Sequence, residues 1–195
     1  MKRPPAVVVL DRDGVINHDS PNYIRSAREL VPIAGSLEAI ADLNRRGIPV
    51  ALATNQSAVG RGYVDWRTLC EIHERLLQLL AQVGGRLDHI VVCPHAPGEG
   101  CPCRKPEPGM LRSIAEHFSV GCRSLVFIGD SATDMGAARR AGARGILVRT
   151  GNGERHLADG LIPRGVPAFR DLAQAVTSIL DPGPREPMEG SLVLS

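Results

Sequence analysis

Four short segments carry the side chains that could do chemistry. They read DRDGVIN from Asp11, TNQSAVGRG from Thr54, CPHAPGEGCPCRKPEPGM from Cys93 and GDSATDM from Gly129. Asp11 and Asp13 flank Arg12, and residues two apart on an extended chain point to one side. Carboxylates held together repel each other unless a cation lies among them. Asp130 and Asp134 are spaced to share one face of a starting helix. A third carboxylate near Asp11 and Asp13 would complete an oxygen-rich site suited to Mg2+, which keeps several waters and bridges to phosphate. Thr54, Asn55 and Gln56 offer a hydroxyl and a backbone N–H at a strand-to-loop turn, where a phosphoryl oxygen can bind. Arg104 and Lys105 add positive charge that can balance a phosphate. Each segment alone also has a plainer explanation. DRD can be a solvated turn, TNQ can be turn chemistry, Asp130 can cap a helix, and the Arg-Lys pair can be solvated surface.

The cysteine-bearing segment has the spacing Cys93-x-His95-x5-Cys101-x-Cys103. Three thiolates and one imidazole match the tetrahedral preference of structural Zn2+. Soft sulfur ligands disfavour Mg2+, so the chain would carry two chemically distinct metal sites. Pro94, Pro97, Gly98, Gly100 and Pro102 let a short loop wrap an ion. A Cys101–Cys103 disulfide is the rival, and ring strain at that spacing counts against it. A bare loop of free thiols is the remaining alternative. Cys70 and Cys122 read as buried structural thiols.

Composition narrows the classes. The chain has 195 residues, 43% hydrophobic and 23% charged, with a formal net charge of +2. That length suits one domain, assigned here to residues 1–181, with 182–195 as a flexible tail. Aromatics make up only 3%, which argues against stacking platforms for nucleic-acid bases. The N-terminal apolar run Ala6–Leu10 is too short for a signal-peptide core. No segment reads as a membrane span. The expectation is a cytoplasmic monomer with no nucleic-acid or membrane partner. Five cysteines, an odd number, favour metal binding or free thiols over a disulfide framework.

The elements that must position these segments alternate along the chain. Strands are predicted at Ala6–Leu10, Ile48–Ala53, Ile90–Val92, Leu125–Ile128 and Gly145–Val148. Helices are predicted at Ser36–Arg46, Asp65–Val83, Gly109–Phe118, Thr133–Ala141 and Phe169–Leu180. Ser36 is placed to cap the first helix and Gly47 to end it. Residues 14–35 and 57–64 read as loops, so no cap domain is inserted. Alternation of this kind predicts an α/β, Rossmann-like fold, a mostly parallel sheet with helices on both faces. Ligands in such sheets bind beyond the carboxyl ends of the strands, where all four segments fall.

The ordered set resembles the haloacid-dehalogenase-type (HAD) phosphohydrolases, over Val7 to Thr150. The motifs are DxD after the first strand, Thr or Ser after the second, Lys in the third and GDxxxD in the fourth. The resemblance implies that Asp11 is a nucleophile forming an aspartyl-phosphate and that Asp13 is the acid and base. Asp11, Asp130 and the backbone carbonyl of Asp13 would hold Mg2+. Thr54 and Lys105 would stabilise the transferring phosphoryl group, and Asp134 would support the Mg2+ shell or Lys105. Many relatives have Thr where this chain has Val15. Within the superfamily, DRDGVIN, TNQSAVGRG, the CPH…CPCRKPEPGM loop and GDSATDM are similar to heptose-bisphosphate 7-phosphatases. Histidinol-phosphate phosphatases share the zinc loop. That similarity implies a phosphorylated sugar as substrate, in heptose supply for lipopolysaccharide core, with histidinol phosphate as the alternative. Asp19 and Tyr23 in NHDSPNY, Asn55, Gln56 and Arg104 would then contact substrate, with packing as the alternative role for Tyr23. A third alternative is a zinc- and phosphate-binding protein without catalysis, which would predict damage to the Asp11–Asp13 pair.

Overall fold

The computed structural model describes residues 4–181, so the predicted tail at 182–195 lies outside the described residues. Six strands form one sheet: β1 (Val7–Leu10), β2 (Val50–Asn55), β3 (His89–Cys93), β4 (Leu125–Gly129), β5 (Arg144–Val148) and β6 (Ala168–Phe169). Their order is β3-β2-β1-β4-β5-β6 and every pairing is parallel. Among the described residues, seven α-helices accompany them: α1 (Ser36–Arg45), α2 (Ser57–Gly60), α3 (Trp66–Gln82), α4 (Gly109–His117), α5 (Ala132–Ala141), α6 (Gly153–Ala158) and α7 (Leu172–Leu180).

Strand β1 explains the layering. Its residues alternate between two cores, because side chains on a strand point to opposite faces in turn. Val8 and Leu10 join Ile40, Leu43, Ile72, Leu76 and Val176, which come from α1, α3 and α7. Val7 and Val9 join Met110, Leu111, Ile114, Ala137 and Ala138, which come from α4 and α5. A strand buried on both faces must be apolar throughout, which accounts for the unbroken VVVL run. Chain order reverses on either side of β1, so a crevice opens at the carboxyl ends of β1 and its neighbours.

Several boundaries differ from the sequence expectation for identifiable reasons. Ser36 does not cap α1; Gly35, at φ 80°, holds the cap position, and the Ser36 hydroxyl instead donates to the Ile16 carbonyl at 2.7 Å. Strand β2 runs on through Thr54 and Asn55, because those two residues pair with Val92 and Cys93. Phe169 belongs to β6, and α7 begins only after Asp171, whose carboxylate accepts from the Gln174 N–H. Residues 57–60 form the short helix α2 rather than loop. Cys70 is exposed on α3, not buried as its helical position suggested.

Candidate active site

The four segments meet at the carboxyl ends of the strands around a cavity of about 400 Å³. Asp11, Asp13, Asn55, Lys105 and Asp130 all line it. Asp11 follows β1 directly. Its Oδ1 accepts from the Arg12 N–H at 2.7 Å and lies 2.8 Å from Lys105 Nζ. Oδ2 has no hydrogen-bond partner among the described residues. Lys105 is 3% exposed and donates to the Ala53 carbonyl at 3.1 Å. The same ammonium stands 2.7 Å from Asp134 Oδ1, a charge contact outside hydrogen-bond geometry. Burial works against the Lys105 charge, but Asp11 and Asp134 outweigh it and hold the ammonium protonated well above its ordinary range.

Asp134 reaches that position because Ser131 starts α5. The Ser131 hydroxyl and the Asp134 carboxylate cap each other's backbone N–H, a capping box. Ser131, rather than Asp130, is therefore the N-cap, which leaves Asp130 free for the cavity. Asn152, from the turn after β5, donates to Asp130 Oδ2 with its backbone N–H at 2.8 Å and its amide at 3.2 Å. Gly14 adopts φ +78°, and a Cβ there would overlap the Asp130 carboxylate. The glycine of DRDG thus admits Asp130 to the side of the first motif.

Asp13 is held differently. Arg12 grips it with both prongs, Nε to Oδ1 at 3.0 Å and Nη2 to Oδ2 at 2.9 Å. Asn17 adds a donor to Oδ1 at 2.8 Å, and Gln56 donates to Oδ2 at 2.9 Å. Burial raises the proton affinity of Asp13, but the Arg12 charge and these donors outweigh it and hold the carboxyl below its ordinary range. Gln56 also donates to Thr54 Oγ1 at 2.8 Å, so it links the second motif to the first. Thr54 is 1% exposed and sits behind the cavity wall. Asn55 bonds the backbone of Lys105 on both sides, accepting from its N–H at 3.1 Å and donating to its carbonyl at 3.3 Å.

Asp11, Asp130 and Asp134 bring carboxylate oxygens within 4.8 Å of one another. Burial first, with the neighbouring carboxylates adding, pushes Asp11 up to about 8 and Asp130 up to about 7, despite Lys105. Buried acids this costly to ionise are what a divalent cation relieves, and an all-oxygen donor set suits Mg2+. The Asp13 carboxylate is gripped by Arg12 and is not among the clustered oxygens; the atom of Asp13 expected at the metal is its backbone carbonyl.

The second cluster is the one expected from the sequence. Cys93 Sγ lies 3.6 Å from His95 Nδ1 and from Cys101 Sγ, and Cys103 Sγ lies 3.3 Å from Cys93 Sγ and His95 Nδ1. A tetrahedron with metal bonds of about 2.0–2.3 Å has edges of about 3.3–3.8 Å, so the four atoms fit a zinc ion. All cysteines are free, so the rival Cys101–Cys103 disulfide is absent. The loop then delivers Arg104 and Lys105, with the Arg104 guanidinium donating to the His95 carbonyl at 3.0 Å.

Asp19 and Tyr23 line the cavity as expected, and so does Arg104. Tyr23 adopts φ 63° and its ring lies 5.5 Å from that of Tyr63. Asn152, Arg155 and His156 line the cavity too, although the motifs do not include them. Their signal is position: they follow β5, and the rule that ligands sit beyond strand ends applies there as well. Arg12 and His73 are also absent from the motif reading. Arg12 is wholly buried, and His73 is 9% exposed on the apolar face of α3.

A HAD-hydrolase-like family model matches residues 102–175. The chain is 51% identical to a D-glycero-beta-D-manno-heptose-1,7-bisphosphate 7-phosphatase of Pseudomonas putida, over 89% of this chain and 99% of that one. The chain belongs to this phosphatase family. A Bordetella bronchiseptica family member, D,D-heptose 1,7-bisphosphate phosphatase, has been crystallised with magnesium and phosphate. It superposes with a TM-score of 0.87 at 45% identity, covering 89% of this chain and 97% of that one. The Burkholderia thailandensis family member superposes at 0.71 with 39% identity, over 89% of this chain and 97% of its own. The HAD resemblance, the fold and the phosphatase class expected from the motifs all agree with this membership.

Proposed function

We infer that the protein is an Mg2+-dependent phosphatase that removes the 7-phosphate of D-glycero-D-manno-heptose 1,7-bisphosphate, in the supply of activated heptose for lipopolysaccharide core. The observation that carries the substrate class lies at the cavity. Lys105 is engaged by Asp11 and Asp134, yet Arg104 and Arg155 face the same cavity with no carboxylate partner among the described residues. Those two guanidinium groups suit a second, non-reacting phosphate better than the amine end of histidinol phosphate. The intact Asp11–Asp13 pair counts against a binding protein without catalysis.

The mechanism follows from the residues. Asp11 is the nucleophile: an oxygen of its carboxylate attacks phosphorus while the bond from phosphorus to the sugar oxygen breaks. Lys105 holds Asp11 Oδ1 and so aims the carboxylate. Asp13 gives its proton to the departing sugar oxygen; a phosphoryl dianion set against it raises its proton affinity for that step. Asp13 then takes a proton from water as the water oxygen attacks the aspartyl-phosphate, and the bond from phosphorus to Asp11 breaks to release phosphate. Asp11, Asp130 and the backbone carbonyl of Asp13 would hold Mg2+, which supplies charge for the transferring phosphoryl oxygens. Asn55 lines the wall at the phosphoryl group, Thr54 backs it from behind, and Gln56 ties Thr54 to Asp13. Asp134 anchors Lys105 from behind. Asp19, Tyr23, Arg104 and Arg155 contact the sugar bisphosphate.

Two experiments bear on this reading. In the first, kcat/KM with Mg2+ is compared for heptose 1,7-bisphosphate and histidinol phosphate. The bisphosphate should lead by about a hundredfold or more, the order expected when a site's charged groups lack their partner. A lead for histidinol phosphate would move the protein to amino-acid synthesis with the same mechanism. The second concerns zinc at Cys93, His95, Cys101 and Cys103, which we assign a structural role. Metal analysis should find one zinc per chain, and Cys103→Ser should lower both zinc content and thermal stability. Full stability in a zinc-free protein would refute the assignment.

A further inference from the structure

We propose that His73, on α3 and outside the cavity, is a positioning residue for proton transfer that sets the Asp13 carboxylate through Arg12. The inference rests on Asp13 being the proton donor. Arg12 is wholly buried, and its planar fork fixes two edges at once. The edge formed by Nε and Nη2 grips both oxygens of Asp13. Nη2 also donates to Gln56 Oε1 at 3.1 Å. The opposite corner, Nη1, has one partner among the described residues, His73 Nε2 at 3.3 Å. That contact requires a neutral ring with Nε2 unprotonated. Burial first, and then the Arg12 charge, depress His73 to about 4, so the ring is neutral at physiological pH.

A histidine on an apolar helix face is ordinarily there to fill space. Here its neighbours on α3, Leu69, Ile72, Leu76 and Leu80, are all apolar and buried, and leucine would fill the same face. What leucine cannot supply is the acceptor. Without it Nη1 is buried and unpaired, an arrangement costly enough for the guanidinium to rotate toward another partner. Rotation of a rigid fork about one corner displaces the edge that holds Asp13. A misplaced acid matters only where the leaving oxygen needs a proton.

That dependence supplies the test. The sugar oxygen of heptose bisphosphate leaves as a strong base unless protonated, whereas 4-nitrophenyl phosphate releases a weakly basic phenolate. kcat/KM reports the steps through leaving-group departure, so the comparison isolates the donor's role. His73→Leu should lose about tenfold in kcat/KM on the sugar and less than about twofold on the nitrophenyl ester, a fraction of the full effect of a general acid. His73→Gln, which restores an acceptor, should recover most of the loss. Arg12→Lys keeps the charge but not the fork, and should show the same selectivity. Equal losses on both substrates, or none on the sugar, would overturn the proposal and leave His73 a packing residue. Asp13→Asn is the control, with a loss on the sugar of about a hundredfold or more and a much smaller one on the ester. If that control does not discriminate, Asp13 is not the donor, and the mechanism fails before the role of His73 is at issue.

Discussion

Asp11→Asn should abolish turnover, lowering kcat by about ten-thousandfold or more, the order seen when a covalent nucleophile is removed. It should do so without weakening the fold. In the metal-free protein burial, with Asp134 and Asp130, raises Asp11 from 3.8 to about 8. The sign follows from that direction. Between those values the folded chain binds more protons at this position than the unfolded chain, so stability falls as pH rises through the window. Below it the contribution is fully present, and above about 8 it is lost. Asparagine cannot ionise, so the variant should lack this slope and melt higher than the parent at pH 8 without Mg2+. Added Mg2+ should stabilise the parent more than the variant. Thermal melting from pH 4 to 9, with and without Mg2+, reads all of this. A variant that is inactive and also unstable at pH 8 would mean Asp11 is structural rather than a strained functional group.

Lys105→Met should fail in the opposite way, losing both fold and function. The ammonium is buried between Asp11 and Asp134 at 2.8 and 2.7 Å. Removing one member of a buried charge group while the others stay costs about 3–5 kcal/mol. Chemical denaturation would read that loss directly. Adding Asp134→Asn should return part of the stability, because the double variant buries one fewer unpaired carboxylate. Activity should not return. Loss of a positioned cation at a transferring group costs about a hundredfold to a thousandfold in kcat, and among the described residues no other side chain contacts Asp11 Oδ1. Full recovery of kcat in the double variant would show that Lys105 serves stability alone.

The contrast between these two residues explains what was legible in the sequence. Strands β1 through β5 announce themselves as short apolar runs, and each of the first four leads into a polar, glycine-bearing segment. β6 does not, because two residues carry no periodicity. The four motifs disclose Asp11, Asp13, Lys105 and Asp130, since chemistry demands those residue types at strand ends. They do not disclose a role for Arg12, which the motif places only between two acids and which is wholly buried. Nor do they disclose His73, whose partner is 61 residues away in the chain. A contact that long in sequence leaves no local pattern. Its only trace is a polar residue on a face where Leu69, Ile72, Leu76 and Leu80 predict another apolar one. Ser36 erred for a related reason: a good capping residue was taken by a tertiary partner, the Ile16 carbonyl.

The most direct test of the central claim is phosphorus NMR of heptose 1,7-bisphosphate incubated with the protein and Mg2+. The 7-phosphate resonance should give way to inorganic phosphate while the 1-phosphate resonance persists, and omission of Mg2+ should stop the change. Loss of the 1-phosphate instead, or no release at all by a protein that holds its zinc and is folded, would contradict the account.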